Sequence, residues 1–329
     1  MVRTMAITYA ELMRLANAFS ESQTLLAAND LDVFTVIGSA GRTTDEVARR
    51  CKADPEGMFL LLNALVGLGL LTLHKGRYYN TRLARRHLDR RSPEAISNLL
   101  WLLGHHWKDW TDIPHALRYG RPGWDPITET PEFRRRFSLA MHERSFMLAE
   151  PTVATFRLLP KARRFLDLGG GPGSYAIALA KRYHMVKGIV LDQTVTVARQ
   201  LIRKHRLQHR LKARQGSLFT ADLGSGYDAV LVANVIHGFN EKENRALLKR
   251  VWDALCPGGK VFIVEFFLDD SLTRPAKATI FSVMMYKFTA SGRCYSWRET
   301  EGWLKELGFG RFTRHAVTPD IGTLEATRL

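Results

Sequence analysis

The residues of this 329-residue chain whose types and spacing suit chemistry are a cluster of glycines and the acids around it. Gly169, Gly170, Gly171 and Gly173 close the run Phe165-Leu166-Asp167-Leu168, and an amphipathic segment, Ala176 to Tyr183, follows. The pattern reads as strand, tight loop, helix. Glycines carry no Cβ, so such a loop can turn sharply and let a ligand approach the backbone. The helix start adds unpaired N–H groups. Asp192 ends the next apolar run, Gly188-Ile189-Val190-Leu191. An acid there, about 20 residues beyond the glycines, is placed to accept both hydroxyls of a ribose.

Spacing decides which nucleoside is expected. The dinucleotide fingerprint needs G-x-G-x-x-G, and Ser174 stands where its third glycine would be. No P-loop lysine and serine follow the glycines. Asp167 precedes them, an acid that repels a pyrophosphate but suits a cation. A nucleoside with a positive sulfonium and an amino-acid tail fits: S-adenosyl-L-methionine. The plainer reading is a glycine-rich turn that only packs; the coincidence of glycines, flanking acid and distal acid argues against it.

These residues need a parallel sheet to hold them, and strand and helix patterns alternate from residue 163 onward. After Asp192 a helix is predicted from Val195 to His205. Leu211 to Gln215 is the third strand, followed by Gly216-Ser217-Leu218-Phe219. Tyr227 to Ala233 is the fourth, nearly all apolar and hence buried on both faces. It runs into Asn234-Val235-Ile236-His237. Glu241 to Leu255 reads as a helix stopped by Pro257-Gly258-Gly259, and Lys260 to Phe267 as the fifth strand. Glu265 in that strand is flanked by Ile263, Val264, Phe266 and Phe267, so burying it requires a partner. Helices Pro275 to Thr289 and Trp297 to Leu307 follow, then Arg311 to Val317 and Thr323 to Leu329 as an antiparallel pair.

The amino-terminal part reads differently. Tyr9 to Leu26 and Ala27 to Ile37 carry helical spacing. Thr43 or Thr44 can cap a helix whose first turn holds Asp45 and Glu46. Asp54-Pro55 starts another, with proline near its first position. Two short strands flank Lys75-Gly76, a turn pair. Helix, helix and hairpin make a winged helix. A recognition helix needs long polar side chains, whereas Met58 to Gly69 is apolar except for Asn63, so the unit reads as a dimerisation module. Residues 81 to 160 carry aromatic and other apolar residues at helical spacing, among them Trp107, Phe133, Phe137 and Met141. Most such residues are core; the functional reading is a wall of an apolar pocket. Pro122, Gly123 and Pro126 mark a loop. His105 and His106 have no acid or cysteine at ligand spacing, so no metal site is expected. The domains expected are 1–95 (winged helix), 96–160 (helical linker and pocket wall) and 161–329 (nucleoside-binding sheet).

Hydrophobic residues at 46% against 24% charged describe a globular chain, and charges break every apolar run well before 18 residues, so no membrane span is expected. The start, Met1-Val2-Arg3-Thr4, lacks a secretory pattern. Three widely spaced cysteines, Cys51, Cys256 and Cys294, suggest a reducing compartment, and a cytoplasmic location is expected. The net charge of +16, with a pI near 10.0, raises the prospect of an acidic partner such as nucleic acid. The basic residues are dispersed in pairs such as Arg49-Arg50 and Arg90-Arg91, which favours a solvated surface.

Taken together, Asp167-Leu168-Gly169-Gly170-Gly171-Pro172-Gly173, Leu191-Asp192, Gly216 to Phe219, Asn234 to His237, Pro257 to Val261 and Gly292-Arg293-Cys294-Tyr295-Ser296 resemble the class I S-adenosylmethionine-dependent small-molecule O-methyltransferases. The likeness is to the plant and bacterial branch that includes hydroxyindole and caffeate-type enzymes, and runs from about Ala10 to the end. It implies an α/β fold: a Rossmann-like, doubly wound seven-stranded sheet behind a mainly helical winged-helix dimerisation domain, working as a homodimer. It further implies His237 as the base that takes the proton of a small, aromatic or apolar hydroxylated substrate, with Glu265 orienting it. The cofactor would lie on Asp167, Gly169, Gly171, Asp192, Gly216, Ser217, Phe219 and Asn234. The substrate would lie against Trp107, Phe137, Met141, Met284, Met285 and Phe288. Three departures stand out: Ser217 replaces an acid, Gly238 the aspartate after the base, and Cys294 a second acid. The competing reading is a nucleic-acid methyltransferase or a DNA-binding winged-helix protein responsive to S-adenosylmethionine. Against it, no base-flipping motif of the Asn-Pro-Pro-Tyr kind follows the fourth strand.

Overall fold

Reciprocal caps start several helices where the sequence predicts them. In the computed structural model, which describes residues 7–121 and 130–329, α1 (Tyr9–Asp30) begins with the Thr8 side chain accepting the Glu11 N–H while Glu11 accepts the Thr8 N–H. The Pro122, Gly123 and Pro126 loop and the first six residues lie outside the described residues. The break expected after Leu26 is absent. Leu25, Leu26 and Ala28 pack continuously against the core, and the chain turns only at Asp32, whose φ of 58° is left-handed. The second segment is correspondingly short, α2 (Val33–Ile37). Of the two candidate caps, Thr43 starts α3 (Thr44–Cys51). Asp54 caps α4 (Pro55–Gly67).

β1 (Leu71–His74) and β2 (Arg77–Asn80) pair antiparallel across Lys75 and Gly76, both at positive φ, the turn whose twist matches a two-residue hairpin. α5 (Arg82–His87) follows. Phe34, Ile37, Met58, Leu62, Leu65 and Leu71 form the core of this winged helix. Among the described residues four helices continue the chain: α6 (Ser97–Thr111), α7 (Ile113–Tyr119), α8 (Pro131–Arg144) and α9 (Ala149–Thr155). The described residues form two compact units that divide between Lys108 and Asp109, inside α6.

The second unit is built on β3 (Arg164–Leu168), β4 (Lys187–Asp192), β5 (Leu211–Gln215), β6 (Tyr227–Ala233), β7 (Leu255–Glu265), β8 (Phe309–Ala316) and β9 (Gly322–Arg328). Their order in the sheet is β5-β4-β3-β6-β7-β9-β8, parallel through β7 and antiparallel at β9 and β8. The order reverses between β3 and β6, where open α/β sheets place their ligands. Connections run through α10 (Ser174–Arg182), α11 (Thr196–Lys204), α12 (Glu241–Ala254), α13 (Ala276–Phe288) and α14 (Trp297–Glu306). Alternate residues feed two cores: Phe165, Leu231 and Phe262 pack with α10 and α13, while Leu166, Val230 and Ile263 pack with α12 and α14. Pro257, Gly258 and Gly259 do not separate α12 from β7 as predicted. The strand begins at Leu255, and these residues bulge between the Tyr227–Leu255 and Ala229–Lys260 pairs. Proline without an N–H is tolerated at such an irregularity. No helix among the described residues is long and apolar enough to cross a membrane.

Candidate active site

The glycine loop joins β3 to α10 with Gly169, Gly171 and Gly173 at φ of 73°, 50° and 74°, angles at which a side chain is strained. Gly169 donates its N–H to the Leu191 carbonyl at 2.8 Å. The Asp192 carboxylate accepts the N–H groups of Gly171 and Thr194, both at 2.9 Å. Asp192 therefore ties the loop to the second strand. Burial raises its pKa, and the backbone donors Thr194, Gly171 and Gln193 pull the other way. α10 departs from the amphipathic reading, because every residue from Ser174 to Ala180 is buried.

Asp167 lies fully buried beneath this loop. A Cβ on Gly170 would stand 2.5 Å from its carboxylate. Among the described residues neither Asp167 oxygen has a hydrogen-bond partner. Burial, aided by the charge of Asp192, pushes its pKa up to about 7, with the Ala176 N–H close enough to oppose the rise. A buried carboxylate without a partner is costly, and a cation at the loop would relieve that cost.

β6 and β7 deliver the second half of the site. Asn234 leaves β6 at φ 55° and donates its N–H to the Val264 carbonyl at 2.8 Å, which starts a tight turn at Ile236–Gly238. His237 Nδ1 lies 3.0 and 2.9 Å from the two oxygens of Glu265, the last residue of β7. Glu265 is 3% exposed, so the partner its apolar flanks demand is the imidazole. Phe281 meets the His237 ring edge-on at 4.9 Å. The turn is pinned from outside. Asn244 donates to the carbonyls of Ile236 and Phe239 at 2.9 and 3.1 Å, and the Tyr295 hydroxyl donates to Phe239 at 2.6 Å. Cys294 is buried, and burial together with the Glu265 charge pushes its thiol up to about 12. The contact to the imidazole comes from Glu265.

The third-strand loop approaches the same place. Leu218 would lie 3.6 Å, and Val235 2.7 Å, from a Cβ on Gly169. Ser217 Oγ accepts the Phe219 N–H at 3.2 Å, and Phe219 packs edge-to-face on Phe239 at 4.9 Å. Gly216 sits so close to Ala221 that a Cβ there would come within 2.8 Å of it. Glycine loop, third-strand loop and the His237 turn thus gather at the carboxyl ends of β3, β5 and β6.

The six predicted pocket residues are placed unevenly. Met284, Met285 and Phe288 share α13 with Phe281; Met285 is packed into the core at 7% exposed, and the other two are partly buried. Phe137 is 41% exposed and stacks on Phe133 with centroids 6.3 Å apart, while Met141 is partly buried. Trp107 belongs to the first unit, 6.2 Å from Phe19. Phe281, Asn244, Tyr295 and Arg144 were missed by sequence reasoning. Asn244 left a signal: it falls on the apolar stripe Leu247, Leu248 and Val251 of α12, where a lone amide needs buried partners.

A family profile described as an O-methyltransferase domain matches residues 103–310, and one described as an O-methyltransferase dimerisation domain matches residues 13–90. The chain belongs to the O-methyltransferase family. This methyltransferase is 29% identical to the 3-hydroxy-5-methyl-1-naphthoate 3-O-methyltransferase of Streptomyces sahachiroi, over 90% of this chain and 88% of the relative. It is 30% identical to the acetylserotonin O-methyltransferase of Mus musculus molossinus, over 92% of this chain and 84% of the relative. Among solved structures it resembles human N-acetylserotonin methyltransferase in complex with S-adenosylmethionine, with a TM-score of 0.86 at 24% identity, covering 100% of this chain and 99% of that one. The structural likeness carries the fold; the sequence matches carry the activity. The methyltransferase uses S-adenosylmethionine to methylate small molecules. Its own residues fit that cofactor: the Asp167 carboxylate, without a partner among the described residues, suits a cation, and a Cβ at Gly169 or Gly170 has no room while Gly171 faces open space that a ligand can occupy.

Proposed function

We propose that the methyltransferase acts on a hydroxyl of an aromatic acceptor, with His237 as general base and Glu265 as the residue that orients it. The carrying observation is the grip of both Glu265 oxygens on His237 Nδ1. That contact assigns the proton to Nδ1 and leaves the Nε2 lone pair for the acceptor. Among the described residues Nε2 has no hydrogen-bond partner. S-adenosylmethionine, when bound, supplies a methyl carbon on a cationic sulfur that leaves as a neutral thioether. His237 takes the hydroxyl proton at Nε2, and Glu265 stabilises the resulting imidazolium as an ion pair screened from water. The naphthoate and acetylserotonin named for the relatives support an aromatic acceptor.

Asp167 and the loop of Gly169 and Gly171 face the sulfonium end in this reading, and Asp192 the ribose. Gly216, Ser217, Phe219 and Asn234 border the adenine, with the Ser217 hydroxyl replacing an acid. Met284, Phe288, Met141 and Phe137, all of the second unit, border the acceptor. The enzyme works as a homodimer through its winged-helix unit. Exposed Leu12, Leu15 and Phe19 on α1, with Phe59 and Leu60 on α4, form apolar surface suited to a second copy. The cytoplasm is the compartment that fits three unpaired cysteines. Turnover and calorimetric binding of S-adenosylhomocysteine, compared for His237→Ala and the unaltered protein, test the base. Unchanged turnover would remove it.

A further inference from the structure

Arg144 closes α8, and its guanidinium carbon stands 5.3 Å from the Phe266 ring centre and 5.6 Å from that of Phe281. Phe281 is the ring against His237, and Phe266 directly follows Glu265. The remaining electrostatic neighbours of Arg144 are Tyr175, in the first turn after the glycine loop, and Glu265 itself. A cation therefore stands among the neighbours of the base, on the side of the loop that holds the cofactor.

No described residue satisfies that cation. Arg144 makes no hydrogen bond and no ion pair among the described residues. The Glu265 oxygens are already taken by His237 Nδ1 and the Phe266 N–H, at 2.9 and 3.2 Å. The guanidinium is partly buried, and that burial holds its pKa below the ordinary range. Five donors without an acceptor, short of water, are costly, and two aromatic faces offset only part of the cost. The charge also has the wrong sign for a site that takes a sulfonium, unless an anion enters with it. A planar fork of donors matches a carboxylate in two parallel hydrogen bonds.

We propose that Arg144 is the carboxylate-binding residue of the reaction site, taking the carboxylate of the cofactor's amino-acid end or that of an acidic aromatic acceptor. The inference rests on the assignment of His237 and the glycine loop to the reaction site. The full chain, Arg144→Met and Arg144→Lys are compared by calorimetry with S-adenosylhomocysteine, with decarboxylated S-adenosylmethionine, and with 3-hydroxy-1-naphthoate added to the S-adenosylhomocysteine complex. If the cofactor supplies the carboxylate, Arg144→Met binds S-adenosylhomocysteine about 10- to 100-fold more weakly, while the decarboxylated compound binds both proteins alike and lysine restores part of the loss. If the acceptor supplies it, S-adenosylhomocysteine affinity is unchanged and hydroxynaphthoate binding falls by a similar factor. Equal affinities of the full chain and Arg144→Met for both probes overturn the proposal. So does a drop in the melting temperature of the ligand-free Met variant with both affinities intact, which marks a purely structural cation. Failure of the unaltered chain to take up S-adenosylhomocysteine is a different result: it removes the site assignment and this inference with it.

Discussion

Gly292 lies against the carbonyl of His237 so closely that a Cβ built on it would stand 2.0 Å from that oxygen and 2.7 Å from the Gly238 carbonyl carbon. The segment bearing Gly292 is itself clamped. Arg121 donates to the carbonyls of Gly292 and Thr289 at 2.9 and 3.1 Å, and stacks on Tyr286. The backbone behind the base is therefore held from both sides, and Gly292→Ala must displace the His237 turn. The expected outcome is a loss of turnover of about 10²-fold, the cost of a misplacement near 1 Å. S-adenosylhomocysteine affinity should stay within a few-fold by calorimetry, since the glycine loop is untouched.

His237→Ala should lower kcat by about 10²- to 10⁴-fold, the range for removal of a general base. Glu265→Gln should lower it less, because an amide still holds the imidazole but offers no charge to the imidazolium. Steady-state kinetics with both substrates saturating checks the order. An equal or larger loss for Glu265→Gln, with S-adenosylhomocysteine affinity intact, would give the carboxylate a role beyond orientation.

Asp167 and His142 should tilt stability in opposite directions with pH. Asp167 titrates near 7 when folded against 3.8 as a free side chain, so the folded state holds its proton longer. Its contribution falls as pH rises from about 4 to 7, by on the order of 4 kcal/mol. His142 donates to or accepts from Ser174 Oγ at 2.8 Å and is pushed down to about 4 by burial, with Lys204, His205 and Lys181 adding to the effect. Its contribution is complete above pH 6.5 and is lost as pH falls to about 4, by on the order of 3 kcal/mol. Thermal melts of the ligand-free protein should show Asp167→Asn gaining stability relative to the unaltered chain as pH rises, and His142→Asn losing it. Asp167→Asn should also weaken binding of S-adenosylmethionine more than that of the neutral S-adenosylhomocysteine.

The homodimer reading predicts that Leu15→Glu, on the exposed apolar face of α1, lowers the mass seen by analytical ultracentrifugation to that of one chain of 37.4 kDa. Leu15 is 64% exposed within the chain, so a charge there costs the isolated fold little. A dimer that persists would move the interface away from this helix face.

The order of strands and helices in the second unit was legible because its signals are local. An apolar run on β6 demands burial on both faces, caps and prolines mark helix starts, and clustered glycines mark the loop after β3 that takes left-handed angles. Asp192 and Glu265 end their strands and His237 follows β6 by a short turn, so the sheet that the pattern implies brings all three to its carboxyl edge. The ends of α1 and β7 were misread because packing, not local sequence, decided them: continuous core contacts carry α1 past Leu26, and pairing with β6 absorbs Pro257 to Gly259 as a bulge. Ser217, Gly238 and Cys294 were visible as departures, but only the folded neighbourhood shows the Cys294 thiol buried, its pKa pushed up, and Glu265 hydrogen-bonded to His237.

The sequence by itself determined the fold class and the glycine loop, and it singled out Asp192 and His237 as candidates for the ribose and the proton, since each depends on residue type and on spacing within one or two elements. Tertiary structure decided which side chains surround them. Gly292 against His237 and Arg144 between the rings of Phe266 and Phe281 are meetings of residues far apart in the chain. No periodicity encodes such contacts, because they arise only when separate elements pack at contact distance and exclude water between them.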